Sequence, residues 1–240
     1  MSKDLVVYYA TGVSPGMPDT LYEPIGKKAL SVMQMDEKTG ILQCPAFREN
    51  LRNTFCFQNP KEFQLYFEEG KDTRWFLPHY DKNNKDFNIN DFIFVRTDKS
   101  FSLTYGHCIF WCEEPVELEQ LHPSFTYTDL ALKTELIFGK FDISKWFRPM
   151  DCAYTITEPN TTIDVKRGDP LYFFKLHTDR KVVFKRFKYT KELKELSDIC
   201  VSTRAVSAGF FSRLKNYYDA VANINISKRV TKAIKKELME

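Results

Sequence analysis

Apolar and polar residues alternate with a period of two along much of this chain, and that spacing predicts strands. Val6 to Ala10 forms a first apolar run, followed by the turn formers Thr11-Gly12-Val13-Ser14-Pro15-Gly16. Two short runs within 27–47 flank Asp36 to Gly40 and predict a hairpin or loop, which Cys44-Pro45 stops because proline cannot donate to an interior ladder. Phe63, Leu65 and Phe67 alternate with Gln64, Tyr66 and Glu68. Phe92 to Val95, Phe101 to Trp111, Leu130 to Phe138 and Ala153 to Ile156 read as further strands. Leu171 to His177 and Lys181 to Tyr189 read as a hairpin across Thr178-Asp179-Arg180. With hardly a helix before residue 190, the expected fold is mainly β within the α+β class. It has an antiparallel β-sandwich or jelly-roll-like body.

The period changes at Thr190, a good N-cap residue. Leu193, Leu196, Cys200, Val206, Phe210, Leu214, Tyr217 and Val221 fall near helical spacing, with breaks at Ser202-Thr203 and Gly209 that predict two helices. Ser227 is expected to cap a last helix whose apolar face is Val230, Ile234 and Leu238. The expected organisation is a strand-rich body over 1–189 and a helical segment over 190–240 packed upon it.

Composition supports a folded chain: 43% of the 240 residues are hydrophobic, 15% aromatic and 28% charged, enough for one sizeable core. The formal net charge of +3 implies no partner by itself, but its distribution is uneven. Residues 166–191 carry nine Lys or Arg against two Asp, whereas 113–135 carry six acidic residues against Lys133. The patches either steer an anionic partner or offset each other on neighbouring faces. The six cysteines are irregularly spaced and read as free thiols of a reducing compartment. No run approaches the roughly 18 apolar residues of a membrane span. The expected setting is therefore cytosolic, or a particle assembled there, with no membrane partner.

His107-Cys108 with Cys112 suggests a metal site, but on a strand the two thiols lie about 13 Å apart at ~3.3 Å per residue. Thiolate ligands must sit about 2.3 Å from zinc. Gly-x-Gly-x-x-Gly, Walker, Gly-x-Ser-x-Gly and His-Glu-x-x-His motifs are all missing. His79-Tyr80-Asp81, the later His177 and then Arg186 resemble the His-x-Asp…His…Arg layout of iron(II)/2-oxoglutarate oxygenases. The resemblance implies a jelly-roll in which His79, Asp81 and His177 hold iron(II) and Arg186 holds 2-oxoglutarate. The gap from His177 to Arg186 is a residue or two short of the usual family spacing.

A longer resemblance runs over roughly 40–225. Cys44-Pro45-Ala46-Phe47, Asn53-Thr54-Phe55, Trp146-Phe147-Arg148-Pro149, Gly168-Asp169-Pro170-Leu171-Tyr172 and Thr178-Asp179 follow one another in order, ahead of Tyr217-Tyr218. Together they resemble an uncharacterised family of tailed-bacteriophage proteins. That implies a viral origin, a β-rich body and residence in the host cytoplasm or the virion, but no activity. The expected function is an accessory protein that binds a protein partner without catalysis or cofactor, through Trp146, Arg148, Lys185 and Arg186. Trp146 has a second reading, as a core cap with Arg148 stacked on it. Beside the oxygenase alternative stands another: the segment 171–189 interleaves Tyr172, Phe173, Phe174, Phe184, Phe187 and Tyr189 with cations, a pattern suited to single-stranded nucleic acid if the rings are exposed.

Overall fold

A computed structural model describes residues 3–11, 25–35, 40–59, 62–67, 75–76, 93–95, 100–103, 108–158, 160–207 and 213–239. The chain opens with β1 (Leu5–Ala10). A 3-10 turn (Ala29–Ser31) and two short helices, α1 (Gly40–Gln43) and α2 (Pro45–Asn50), come next. Strands β2 (Thr54–Gln58), β3 (Phe63–Phe67), β4 (Trp75–Phe76), β5 (Ile93–Val95), β6 (Ser100–Leu103), β7 (Ile109–Trp111) and β8 (Glu117–Leu121) lead to α3 (Asp129–Lys133). Then follow β9 (Thr134–Ile137), β10 (Lys140–Asp142), β11 (Ala153–Ile156), β12 (Thr161–Val165), β13 (Pro170–Leu176) and β14 (Val182–Arg186). Helices α4 (Lys191–Ser207), α5 (Leu214–Asn223) and α6 (Ile226–Lys236) end the described chain.

The fold is α+β, as the alternation predicts, with mostly antiparallel sheets and C-terminal helices. Among the described residues the sheets are open, in the orders β14-β1-β7, β10-β8-β13-β2, β5-β6-β11-β9 and β12-β3-β4. The body is therefore sandwich-like rather than a closed barrel. Two of its layers meet through aromatic rings. Phe174 of β13 lies 5.0 Å from Phe110 of β7, and Phe184 of β14 lies 4.8 Å edge-on to Phe55 of β2. Such pairs add roughly 0.5–1.5 kcal/mol each beyond the area they bury.

Several local expectations are corrected. Residues 171–189 do not form a hairpin: β13 pairs with β2 and β8, whereas β14 runs parallel to β1, with Leu5 opposite Val182 and Tyr9 opposite Arg186. The reason lies in burial. Leu171 to Phe174 is buried on both faces and occupies a sheet interior, whereas β14 is half-exposed and takes an edge. Phe101 to Trp111 holds two strands, β6 and β7, of different sheets. The described residues of the 27–47 region hold a 3-10 turn and the helices α1 and α2. Pro45 sits in the first turn of α2, where a fixed φ and a missing N–H are assets, so it starts an element instead of stopping one. The first half of 130–138 is α3: the Thr128 hydroxyl caps it by accepting from Ala131 N–H at 3.3 Å, and Lys133 closes on Asp129 at 2.9 Å. The last helix starts at Ile226 behind Asn225, not behind Ser227.

Helices α5 and α6 share the body's hydrophobic cluster. Tyr217, Val221, Ile226, Val230 and Ile234 are buried in it together with Trp111, Ile143, Phe147 and Phe187. Polar contacts fix their register: Trp111 Nε1 donates to Thr231 Oγ1 at 3.1 Å, and Asp142 N–H donates to Tyr218 Oη at 2.7 Å. Beyond α6, residues 237–239 lie along β14, where Lys188 N–H donates to Glu237 O and Met239 N–H donates to Arg186 O, both at 2.9 Å. Among the described residues no helix is long and apolar enough to cross a membrane.

Candidate functional site

The described residues singled out in the sequence fall in three places: Trp146 and Arg148 between β10 and β11, Lys185 and Arg186 on β14, and His177 just after β13. Trp146 is 6% exposed, wedged between Phe141 at 4.6 Å and Tyr217 at 5.3 Å, with the Arg148 guanidinium 4.8 Å above its ring. This is the core-capping arrangement of Trp146 and Arg148. Lys185 is exposed on β14, and Arg186 Nη2 donates to Thr11 Oγ1 at 3.2 Å. Around the 171–189 segment, Tyr172, Phe173, Phe174 and Phe187 are buried, and Phe184 and Tyr189 are half-buried and packed on the core. The buried rings offer no face to a nucleobase.

His79 and Asp81 lie outside the described residues, as does His107. His177 Nε2 is 2.8 Å from Glu119 Oε2, and its backbone N–H donates to Glu117 O at 2.9 Å. With β14 paired to β1, Val182 faces Leu5 rather than His177. The pairing meant to set Arg186 on the face of His177 is therefore not formed. Among the described residues no cluster of three or more His, Cys, Asp or Glu has metal-binding geometry.

The acidic and basic segments meet where Arg180 closes on Glu114. Arg180 grips Glu114 at both oxygens, 2.7 and 3.2 Å, and also donates to the carbonyls of Lys3 and Asp4. That grip holds the Glu114 carboxyl below the usual range and pushes the Arg180 guanidinium up. Glu117 pairs with Lys140 at 2.7 Å, and Glu113 with Lys235 at 2.8 Å.

Three cations that no carboxylate among the described residues answers converge on one place. An open groove of about 690 Å³ runs between the 3-10 turn, α2 and the 178–181 turn. Lys28, Arg48 and Lys181 line it, all exposed, and none has a carboxylate partner among the described residues. Its floor is built. Asn53, at φ 51°, donates from Nδ2 to the carbonyls of Thr178 at 2.7 Å and Arg180 at 3.0 Å. Arg52 donates to Asp179 O at 2.8 Å and to Glu49 Oε1 at 3.2 Å. The turn is thereby strapped to the end of α2. Glu49, Arg52 and Asp179 also border a shallower cleft of about 530 Å³ that carries Lys175 and His177.

An apolar ledge adjoins the groove. Phe47 of α2 packs edge-on against Phe125, 6.2 Å between centroids, and Gln34 N–H donates to Phe125 O at 2.7 Å. Phe125 and Tyr127 are 41% and 58% exposed, and both have positive φ, a rare state for aromatic residues. Between them Thr126 is buried and donates to Pro123 O at 2.7 Å. His122 braces the loop: Leu136 N–H donates to Nδ1 at 3.3 Å, which leaves Nε2 to donate to Ala131 O at 2.9 Å. Leu30 and Ile41 are exposed nearby in sequence to the groove's own wall.

Sequence reasoning missed Lys28 and Arg48. The available signal was Pro45 as a helix start, which would have set Arg48 on a helix beside Arg52. Compared with protein-family models, curated proteins and solved structures, the chain matches none.

Proposed function

We propose that the chain is a tailed-bacteriophage accessory protein that binds a protein partner, without catalysis, in the host cytoplasm or in the virion. The docking surface in this reading is the groove of Lys28, Arg48 and Lys181 with its aromatic ledge. One observation carries the proposal: three exposed cations without carboxylate partners among the described residues surround a braced groove beside exposed Phe125 and Tyr127. Charge beside exposed aromatic area is the usual make-up of an interface, with aromatics as anchors and charges at the rim.

The test compares the immobilised full chain with an Arg48→Glu/Lys181→Glu variant in extract from phage-infected cells. A protein held by the first and released by the second supports the reading. Equal retention by both, or retention by neither, overturns it. Succinate formed from 2-oxoglutarate when iron(II) is supplied to the same preparation overturns its non-catalytic part.

A further inference from the structure

Resting on that reading, we infer that the groove's occupant is an extended acidic peptide segment whose carboxylates alternate with large apolar side chains. Three features of the site point to this chemistry.

The first is charge. Lys28, Arg48 and Lys181 come from three separate segments and converge on one groove. Among the described residues no carboxylate answers Lys28, Arg48 or Lys181, whereas Arg180, Lys140 and Lys235 close on Glu114, Glu117 and Glu113. Carboxylates spaced along an extended chain fit three cations set apart around a rim.

The second is the wall. Glu49 and Asp179 both line the groove, held there by Arg52. A continuous phosphate backbone, charged at every step, meets repulsion at both; a peptide places neutral residues opposite them. Among the described residues the groove's lining holds Leu30, Pro45 and Leu51 as its apolar members and no aromatic ring, whereas single-stranded nucleic acid uses a ring as stacking platform.

The third is the apolar flank. Leu30 and Pro45 line the groove itself, and Phe47 carries contact on to the exposed ring of Phe125. The helix that presents Arg48 thus also reaches the ledge, and a peptide lying across α2 meets charge and apolar surface in turn. Electrostatic attraction of this kind mainly speeds encounter and fades with salt.

The experiment uses the full chain and fluorescein-labelled probes, read by anisotropy. The probes are a short peptide alternating Glu with Phe and Leu, its Gln counterpart, and an oligothymidylate of similar length. The acidic peptide is expected to bind about tenfold or more tightly than the Gln peptide, as the loss of several exposed charge contacts implies. Arg48→Glu/Lys181→Glu abolishes that preference, Arg48→Gln/Lys181→Gln reduces it, and Lys215→Glu on α5 leaves it intact. A thermal melt of each variant shows that it is folded. Oligothymidylate binding as tight as the peptide and lost in the same variant overturns the inference in favour of nucleic acid. Failure of every probe, or peptide binding indifferent to the charge reversal, also overturns it. In that case, a partner retained from infected extract still upholds the broader reading.

Discussion

Lys235 Nζ lies 2.8 Å from Glu113 Oε2, while the Tyr8 hydroxyl donates to the other carboxylate oxygen at 2.9 Å. Helix α6 is thus tied to the sheet formed by β1 and β7. Burial disfavours the charged carboxylate, but hydrogen bonds from Lys235 and Tyr8 outweigh it and hold Glu113 below its ordinary 4.5. The native state therefore binds fewer protons than the unfolded chain near that value. The contribution is complete above pH 4.5 and is lost as pH falls through the lower native value. Burial and the Glu113 contact push Tyr8 from 10.0 up to about 12, so its contribution is complete below pH 10 and is lost as pH climbs towards 12. Melting temperatures measured against pH should fall at both ends, and Glu113→Gln should flatten the acid limb. An unchanged acid limb in that variant refutes the assignment.

Trp146 gives a prediction that separates packing from binding. Its ring fills the space between Phe141 and Tyr217. Trp146→Ala should cost about 3–5 kcal/mol in denaturant unfolding, as large-to-small core changes do. Trp146→Phe should cost less and leave partner retention from extract unchanged. Selective loss of retention in a stable Phe variant would show Trp146 to be a contact residue.

Thiol chemistry offers a direct check of the burial pattern. Cys44 is exposed, and the other five cysteines are buried. Burial pushes Cys56 up to about 12 and Cys200 up to about 11, and raises Cys108, Cys112 and Cys152 as well. The thiolate is the reactive form. One equivalent of a disulfide reagent should therefore react quickly at neutral pH, and six after denaturation. Cys44→Ser should remove the fast equivalent.

Asn53 links stability to the groove. Its left-handed φ of 51° suits Asn or Gly, and its amide holds two carbonyls of the 178–180 turn. Asn53→Ala loses both advantages and should destabilise by about 1–3 kcal/mol. It should also weaken acidic-peptide binding by loosening the turn. Asn53→Gly keeps the backbone freedom and should cost less. Urea titration beside the anisotropy assay checks both effects.

What the sequence reveals here depends on the range of the interactions involved. Phe63, Leu65 and Phe67 are buried and Gln64 and Tyr66 half-buried, because alternation reports one covered face whatever covers it. The covering partner is a long-range matter. The Thr178-Asp179-Arg180 turn has hairpin chemistry, yet Asn53, Glu114, Lys3 and Asp4 hold it so that β14 leaves for another sheet. Helix α2 is too short to display a helical period, and its proline reads equally as a stop. The groove's cations come from three segments, each with an unremarkable local pattern. Burial of Trp146 was legible as one of two alternatives, since a Trp-Phe-Arg-Pro run fits both.

The parallel pairing of β1 with β14 has a consequence for how the chain emerges from a ribosome. Strand β1 is made first and must lie between β7 and β14, yet Val182 arrives only after most of the chain has been synthesised. Closing so long a loop costs on the order of 4–5 kcal/mol of chain entropy beyond a fixed constant. An apolar Leu-Val-Val-Tyr-Tyr-Ala ribbon therefore waits unpaired on one side throughout elongation, and unpaired strand edges invite aggregation. The clasp of residues 237–239 along β14 forms later still, about fifty residues after β14 itself has been made. Nascent-chain length, more than temperature, should decide when this protein stops being sticky.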